Sequence, residues 1–151
     1  MAALIRKRAR VIELKALCDL SEIYCSQQRW PEAKSTQLKL LDCQKRDSGK
    51  DTDKIVAGYC WLTKILYKSE DYVDAMLYGR SALLRARKLG NRTLTLLSVE
   101  LLVEICKASH NDVDREAYSA LLDDIRWRQE QDDDQLAERR VERPVLPRLM
   151  A

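Results

Sequence analysis

The stretch Arg29-Trp30-Pro31-Glu32-Ala33 returns as Asp71-Tyr72-Val73-Asp74-Ala75 and again as Val113-Asp114-Arg115-Glu116-Ala117. Ala33, Ala75 and Ala117 stand 42 residues apart, then 42 again. A fixed period of this length marks an array of supersecondary units, each too small to bury its apolar face alone. Each copy of the motif follows one run of apolar residues at threes and fours and opens another, which is the pattern of helix, turn, helix. Pro31 falls in a first helical turn, where its missing N–H would be unpaired anyway. A small residue at the alanine mark lets two helices cross closely beside their joining turn. Three positions earlier, the rings of Trp30 and Tyr72 can close the turn end of the hairpin. Asp114 at that position in the third copy cannot, so the third hairpin is expected to be less well sealed.

Working outward, the spacing predicts six helices, over about Ile5–Gln28, Pro31–Lys45, Asp53–Tyr67, Tyr72–Leu89, Thr93–Ala108 and Val113–Gln129. Gly49 and Gly90 read as helix stops, and Asn111 or Asp112 as an N-cap. Other positions keep the period in the first two copies: Leu17 with Tyr59, Leu20 with Leu62, Ile23 with Ile65, Leu41 with Leu83. In the third copy the same spacing lands on Leu101 and Ile125, which keep the pattern, and on Glu104 and Lys107, which break it, a sign of a register shift or of a degenerate, capping repeat. Short turns make neighbouring helices antiparallel. The expected fold is all-α: three hairpins, over about 11–46, 53–89 and 93–129, stacked in a short superhelix within one domain of residues 1–129. Residues 130–151 are expected to form a charged, mobile tail, because Pro144 and Pro147 forbid a continuing helix.

Composition agrees. Of 151 residues, 46% are apolar and 34% charged, with four Gly, three Pro and no Phe. That suits a folded, helix-rich chain. The formal charge of +3 is too small to call for nucleic acid or an anionic membrane. No apolar run is long enough for a membrane span. Cys18, Cys25, Cys43, Cys60 and Cys106 are odd in number and lack CxxC spacing, so they read as reduced thiols of an intracellular, cytoplasmic protein. With a single His, no metal site and no cofactor are expected.

The chain resembles a tetratricopeptide-repeat protein in the 42-residue form found in kinesin light chains. The matching residues are Leu20, Tyr24, Trp30 and Ala33 in the first copy, then Leu62, Leu66, Tyr72 and Ala75, with Ala117 in the third. The usual small residue is Ser21, then Thr63, then Ile105, and the glycine before the turn is replaced by Gln28 and Glu70. The resemblance implies a right-handed superhelix and a concave groove lined by the first helix of each pair. The groove residues it implies are Lys15, Cys18, Glu22 and Cys25 in copy one, Cys60, Lys64, Tyr67 and Lys68 in copy two, and Leu102, Cys106 and Ser109 in copy three. Trp30, Ala33, Tyr72, Ala75 and Ala117 are the repeat-packing positions.

These readings point to a scaffold or adaptor that binds a peptide or partner helix and performs no catalysis. Lys64 and Lys68, one turn apart, would steer an acidic segment towards apolar contacts around Tyr67 and Leu102. No Asn stands in the groove, which argues against binding of a chaperone tail. His110, in a turn, has no activating partner and reads as solvated. The alternative is a nucleic-acid-associated helical protein using Arg80, Arg85, Arg87, Lys88 and Arg92. Those cations lie towards a helix C-terminus, which the helix dipole already favours, and they lack aromatic interleaving. An uncovered end of the array would be met by Met1–Arg10, by the tail, by a second copy, or by further repeats of a longer protein.

Overall fold

In the computed structural model, which describes residues 1–142, the chain is all-helical. Six helices follow in order: α1 (Ala2–Ser26), α2 (Trp30–Ser48), α3 (Asp53–Lys68), α4 (Tyr72–Leu89), α5 (Arg92–Ala108) and α6 (Asp112–Glu142). Each packs on the next, and α3 also packs on α5. The result is three antiparallel hairpins, stacked.

The boundaries have local causes. Side-chain oxygens of Thr52, Asp71 and Asn91 accept the N–H groups of Ile55, Asp74 and Leu94, which satisfies free donors at the starts of α3, α4 and α5. Asn111 caps α6 in the same way, through Asp114 N at 3.3 Å. Gly49 (φ 65°) and Gly90 (φ 67°) end α2 and α4 in the left-handed conformation expected of them.

The turns inside the hairpins reveal the true period. Among the described residues, Gln28, Glu70 and His110 are the non-glycine residues with positive φ, at 58°, 63° and 56°. Each sits in the same hydrogen-bonded turn: Arg29 N donates to Tyr24 O, Asp71 N to Leu66 O, and Asn111 N to Cys106 O. Their spacing is 42 residues and then 40. The third hairpin therefore starts two residues early, because Gly90–Asn91 replaces the longer Gly49–Thr52 connection. This corrects the equivalence drawn from the alanines. The third member of the Ala33–Ala75 series is Arg115, and Ala117 is exposed, whereas Ala33 and Ala75 are fully buried. The third member of the Trp30–Tyr72 series is Asp112. In the corrected register Leu20, Leu62 and Leu102 align, as do Ile23, Ile65 and Ile105. The polar mismatches at Glu104 and Lys107 disappear.

The core forms two joined clusters. One gathers Leu41, Ile55, Tyr59, Leu62, Leu66, Ala75, Ala82 and Ile105; the other gathers Leu83, Val99, Leu102, Val103 and Leu122, and Met76 touches both. Fully burying a Leu or Ile side chain stabilises by about 1.5–3 kcal/mol. Close approach of α2 to α3 is set by Gly58, where an added Cβ would come 2.7 Å from Leu41 Cδ2.

α6 is longer than the sequence pattern suggests. It runs unbroken to Glu142 rather than ending near Gln129, because no Gly or Pro interrupts 130–142, and Asp132 is tied to Arg92 at 2.5 Å. Residues 143–151, the rest of the expected tail, lie outside the described residues.

Candidate binding face on the first helices of the hairpins

α1, α3 and α5 run parallel to one another and hold equivalent positions. A polar chain joins the first hairpin to the second: Trp61 Nε1 donates to Ser21 Oγ (3.3 Å), Ser21 Oγ to Gln37 Oε1 (3.1 Å), and Gln37 Nε2 to the Gly58 carbonyl (3.2 Å). Ser21 and Gln37 are buried, so each of these bonds satisfies a group that water cannot reach. Between the second and third hairpins, Cys60 Sγ lies 3.4 Å from Ser98 Oγ.

These links fix which side chains share a face. Trp61 is half-buried, with its indole edge turned to Ser21 and the Lys64 ammonium 5.5 Å from its ring centroid. The Lys68 ammonium lies 5.9 Å from the Tyr67 ring. In the corrected register Glu22, Lys64 and Glu104 are equivalent, as are Asp19, Trp61 and Leu101, and Lys15, Ala57 and Leu97. Leu97 is 41% exposed and Leu101 half-buried. The face thus carries apolar groups flanked by charges of both signs.

The implied groove residues divide accordingly. Lys15, Glu22, Lys64 and Lys68 are exposed, and Tyr67 is half-buried against Tyr72 with ring centroids 6.2 Å apart. Cys60 and Leu102 do not line an open groove: Cys60 is 3% exposed and Leu102 0%. Cys106 is also buried, and Ser109 is a half-buried turn residue. Leu102, Cys106 and Ser109 were placed by a spacing of 42 where 40 applies, which turned them from the face into the seam. Cys60 fails for another reason, since packing of α5 covers its sulfur. Trp61, Leu97 and Leu101 were missed. Trp61 stands three residues before Lys64, hence on the same side of the helix, and that relation was readable.

Cys18, Cys25 and Cys60 are each held towards the neutral thiol. Burial pushes the Cys60 thiol above its usual range, against a smaller opposing effect of the Ser98 hydroxyl. Partial burial, then Glu22 and Asp19, raises Cys18. Cys25 is raised by partial burial and Glu22, only partly offset by Ser21 and by Lys64 across the face. Among the described residues no group of three His, Cys, Asp or Glu is arranged to hold a metal ion, and no helix is long and apolar enough to cross a membrane.

The basic face weighed as an alternative is mostly engaged. Arg80 pairs with Asp114 (2.9 Å) and donates to Tyr118 Oη (3.1 Å). Arg85 pairs with Asp51 at 2.5 Å and covers the Tyr59 ring at 4.6 Å. Arg92 holds Asp132. A cavity of about 700 Å³ between the α4–α5 turn and α6 is lined by Arg87, Arg92, Ile125, Trp127, Arg128 and Asp132.

Comparison with family models, with curated proteins and with solved structures returns no match to this chain.

Proposed function

We propose that this chain is a tetratricopeptide-like interaction module, a non-catalytic scaffold that takes a peptide or helix of another protein along the α1–α3–α5 face. The observation that carries this reading is the row of Trp61, Leu97 and Leu101 left partly uncovered beside Lys64 and Lys68. Rigid, half-exposed aromatic and aliphatic groups supply anchoring area, and rim charges supply orientation and association rate. Because Lys64 is flanked by Glu22 and Glu104, a uniformly acidic ligand would meet repulsion. The fitting partner segment is apolar, with an acidic side chain placed for Lys64 or Lys68 and a basic one for Glu22 or Glu104.

The test is capture of a discrete protein partner by the wild-type chain, by Lys64→Glu/Lys68→Glu and by Leu97→Glu. The reading predicts loss of the partner in both variants with unchanged helicity. Undiminished capture would sink it. Retention on a nucleic-acid column, released by modest salt and abolished by Arg87→Glu/Lys88→Glu, would instead favour the basic-face alternative.

A further inference from the structure

The outer side of α1 is a finished stacking surface on which nothing is stacked among the described residues. In the second and third hairpins, Leu62, Ile65, Leu102 and Ile105 are 0–2% exposed, because the preceding hairpin lies over them. Their equivalents on α1, Leu20 and Ile23, are 38% and 49% exposed. The small residue that admits the preceding helix is also present: Gly58 and Ser98 are buried in that role, and Ala16 at the same position is exposed. The stripe continues towards the N-terminus through Ile12 (68% exposed), Ala9 and Ile5 (65%). Ile5, Ala9, Ile12, Ala16, Leu20 and Ile23 follow one another at intervals of three and four, the spacing of a helix–helix seam.

We propose that this seam is occupied by α1 of a second copy, running antiparallel. Two observations select that occupant. First, the far end of the array cannot serve. Where α2 presents Leu41 and Gln44 to the next hairpin, and α4 presents Leu83 and Ala86, α6 presents Asp123 and Arg126, and Arg126 is tied to Glu100 at 3.2 Å. Head-to-tail stacking would bury those charges against Ala16 and Leu20. Second, the charge order along α1 fits itself in reverse. Its N-terminal half carries Arg6, Lys7, Arg8 and Arg10 against the single acid Glu13, and its C-terminal half carries Asp19 and Glu22 against the single base Lys15. This order opposes the helix macrodipole, with no acidic residue in the first turn and no basic one in the last. The helix alone gives no reason for it. An antiparallel pair related by a two-fold axis at the level of Leu14 sets Ile5 against Ile23, Ile12 against Ala16, and Arg8 beside Asp19 of the other copy. A large side chain then meets a small one at the centre, and each basic half meets an acidic half. A parallel pair would set like halves together. Isologous contacts of this kind close as dimers.

The experiment is sedimentation equilibrium of the full chain across the micromolar range. A reversible dimer is expected. Ile12→Arg and Ile23→Arg, both at exposed positions, should weaken association roughly a hundredfold while circular dichroism keeps its helical signal. Arg8→Asp and Asp19→Arg should each weaken it roughly tenfold, and Arg8→Asp/Asp19→Arg in one chain should restore it. A chain monomeric at every concentration, or a dimer indifferent to Ile12→Arg and Ile23→Arg, would overturn the proposal. A double variant no better than its parents would overturn the antiparallel arrangement.

Discussion

Ser21 donates its hydroxyl proton to Gln37 at 3.1 Å, and both side chains are buried. With the Trp61 indole donating to the same hydroxyl, one oxygen joins α1, α2 and α3. The equivalent positions do without such a link: Thr63 Oγ1 bonds the Tyr59 carbonyl of its own helix at 2.8 Å, and Val103 has no hydroxyl. The first hairpin meets the second through this buried polar chain as well as through Leu41, and the second meets the third chiefly through apolar groups.

Ser21→Ala should therefore cost about 1–3 kcal/mol, since it strands a buried amide oxygen and an indole N–H together. Urea unfolding measures it. A loss within about 0.5 kcal/mol of zero would show that this chain of bonds contributes little.

Gly58→Ala sets two effects against each other. Alanine in a helix interior is favoured over glycine by about 0.5–1 kcal/mol. The new Cβ would meet Leu41 Cδ2 at 2.7 Å, and overpacking of this kind costs about 1–3 kcal/mol. The clash should win, with a net loss near 1 kcal/mol. Combined with Leu41→Ala, the substitution should cost less than the sum of the two single changes, which a double-mutant cycle reads directly.

Glu70 (φ 63°) and His110 (φ 56°) hold a conformation that disfavours residues with a Cβ by about 1–2 kcal/mol. Both side chains are exposed. Glu70→Gly and His110→Gly should each stabilise by about 0.5–1 kcal/mol after the extra freedom of glycine in the unfolded chain is subtracted. Thermal unfolding midpoints should rise. A fall would mean that these side chains make contacts that outweigh the strain.

The raised Cys60 thiol predicts a pH dependence. The folded chain holds this proton to a higher pH than the unfolded chain does. The thiol's contribution to stability is therefore complete below the unfolded value, about 8.5, and declines as the pH rises through and above it. Urea midpoints compared at neutral pH and at about pH 10 should fall more steeply for the wild type than for Cys60→Ala. Equal slopes would contradict the prediction.

The sequence by itself determined the number of helices, their order and their pairing, though not the reach of α6 to Glu142. Apolar spacing, Pro31, Gly49, Gly90 and the caps are local signals, and they act over one or two turns. Ala33 and Ala75 marked the crossing points correctly for the same reason. What the sequence could not set was the phase of the third hairpin. Two residues lost between Gly49–Thr52 and Gly90–Asn91 are invisible to a motif match, and the coincidence at Ala117 concealed them. The seam and the open face of a helix differ by about 100° per residue, so a slip of two residues exchanges them; that is why Leu102 proved buried and Leu97 exposed. Only the stacking of hairpins decided that Cys60 is covered by α5, that Trp61 is shared between α1 and α3, and that Leu20 is bare where Leu62 is not. Each depends on which helix lies across from it, and that is a property of the assembled array rather than of any one segment.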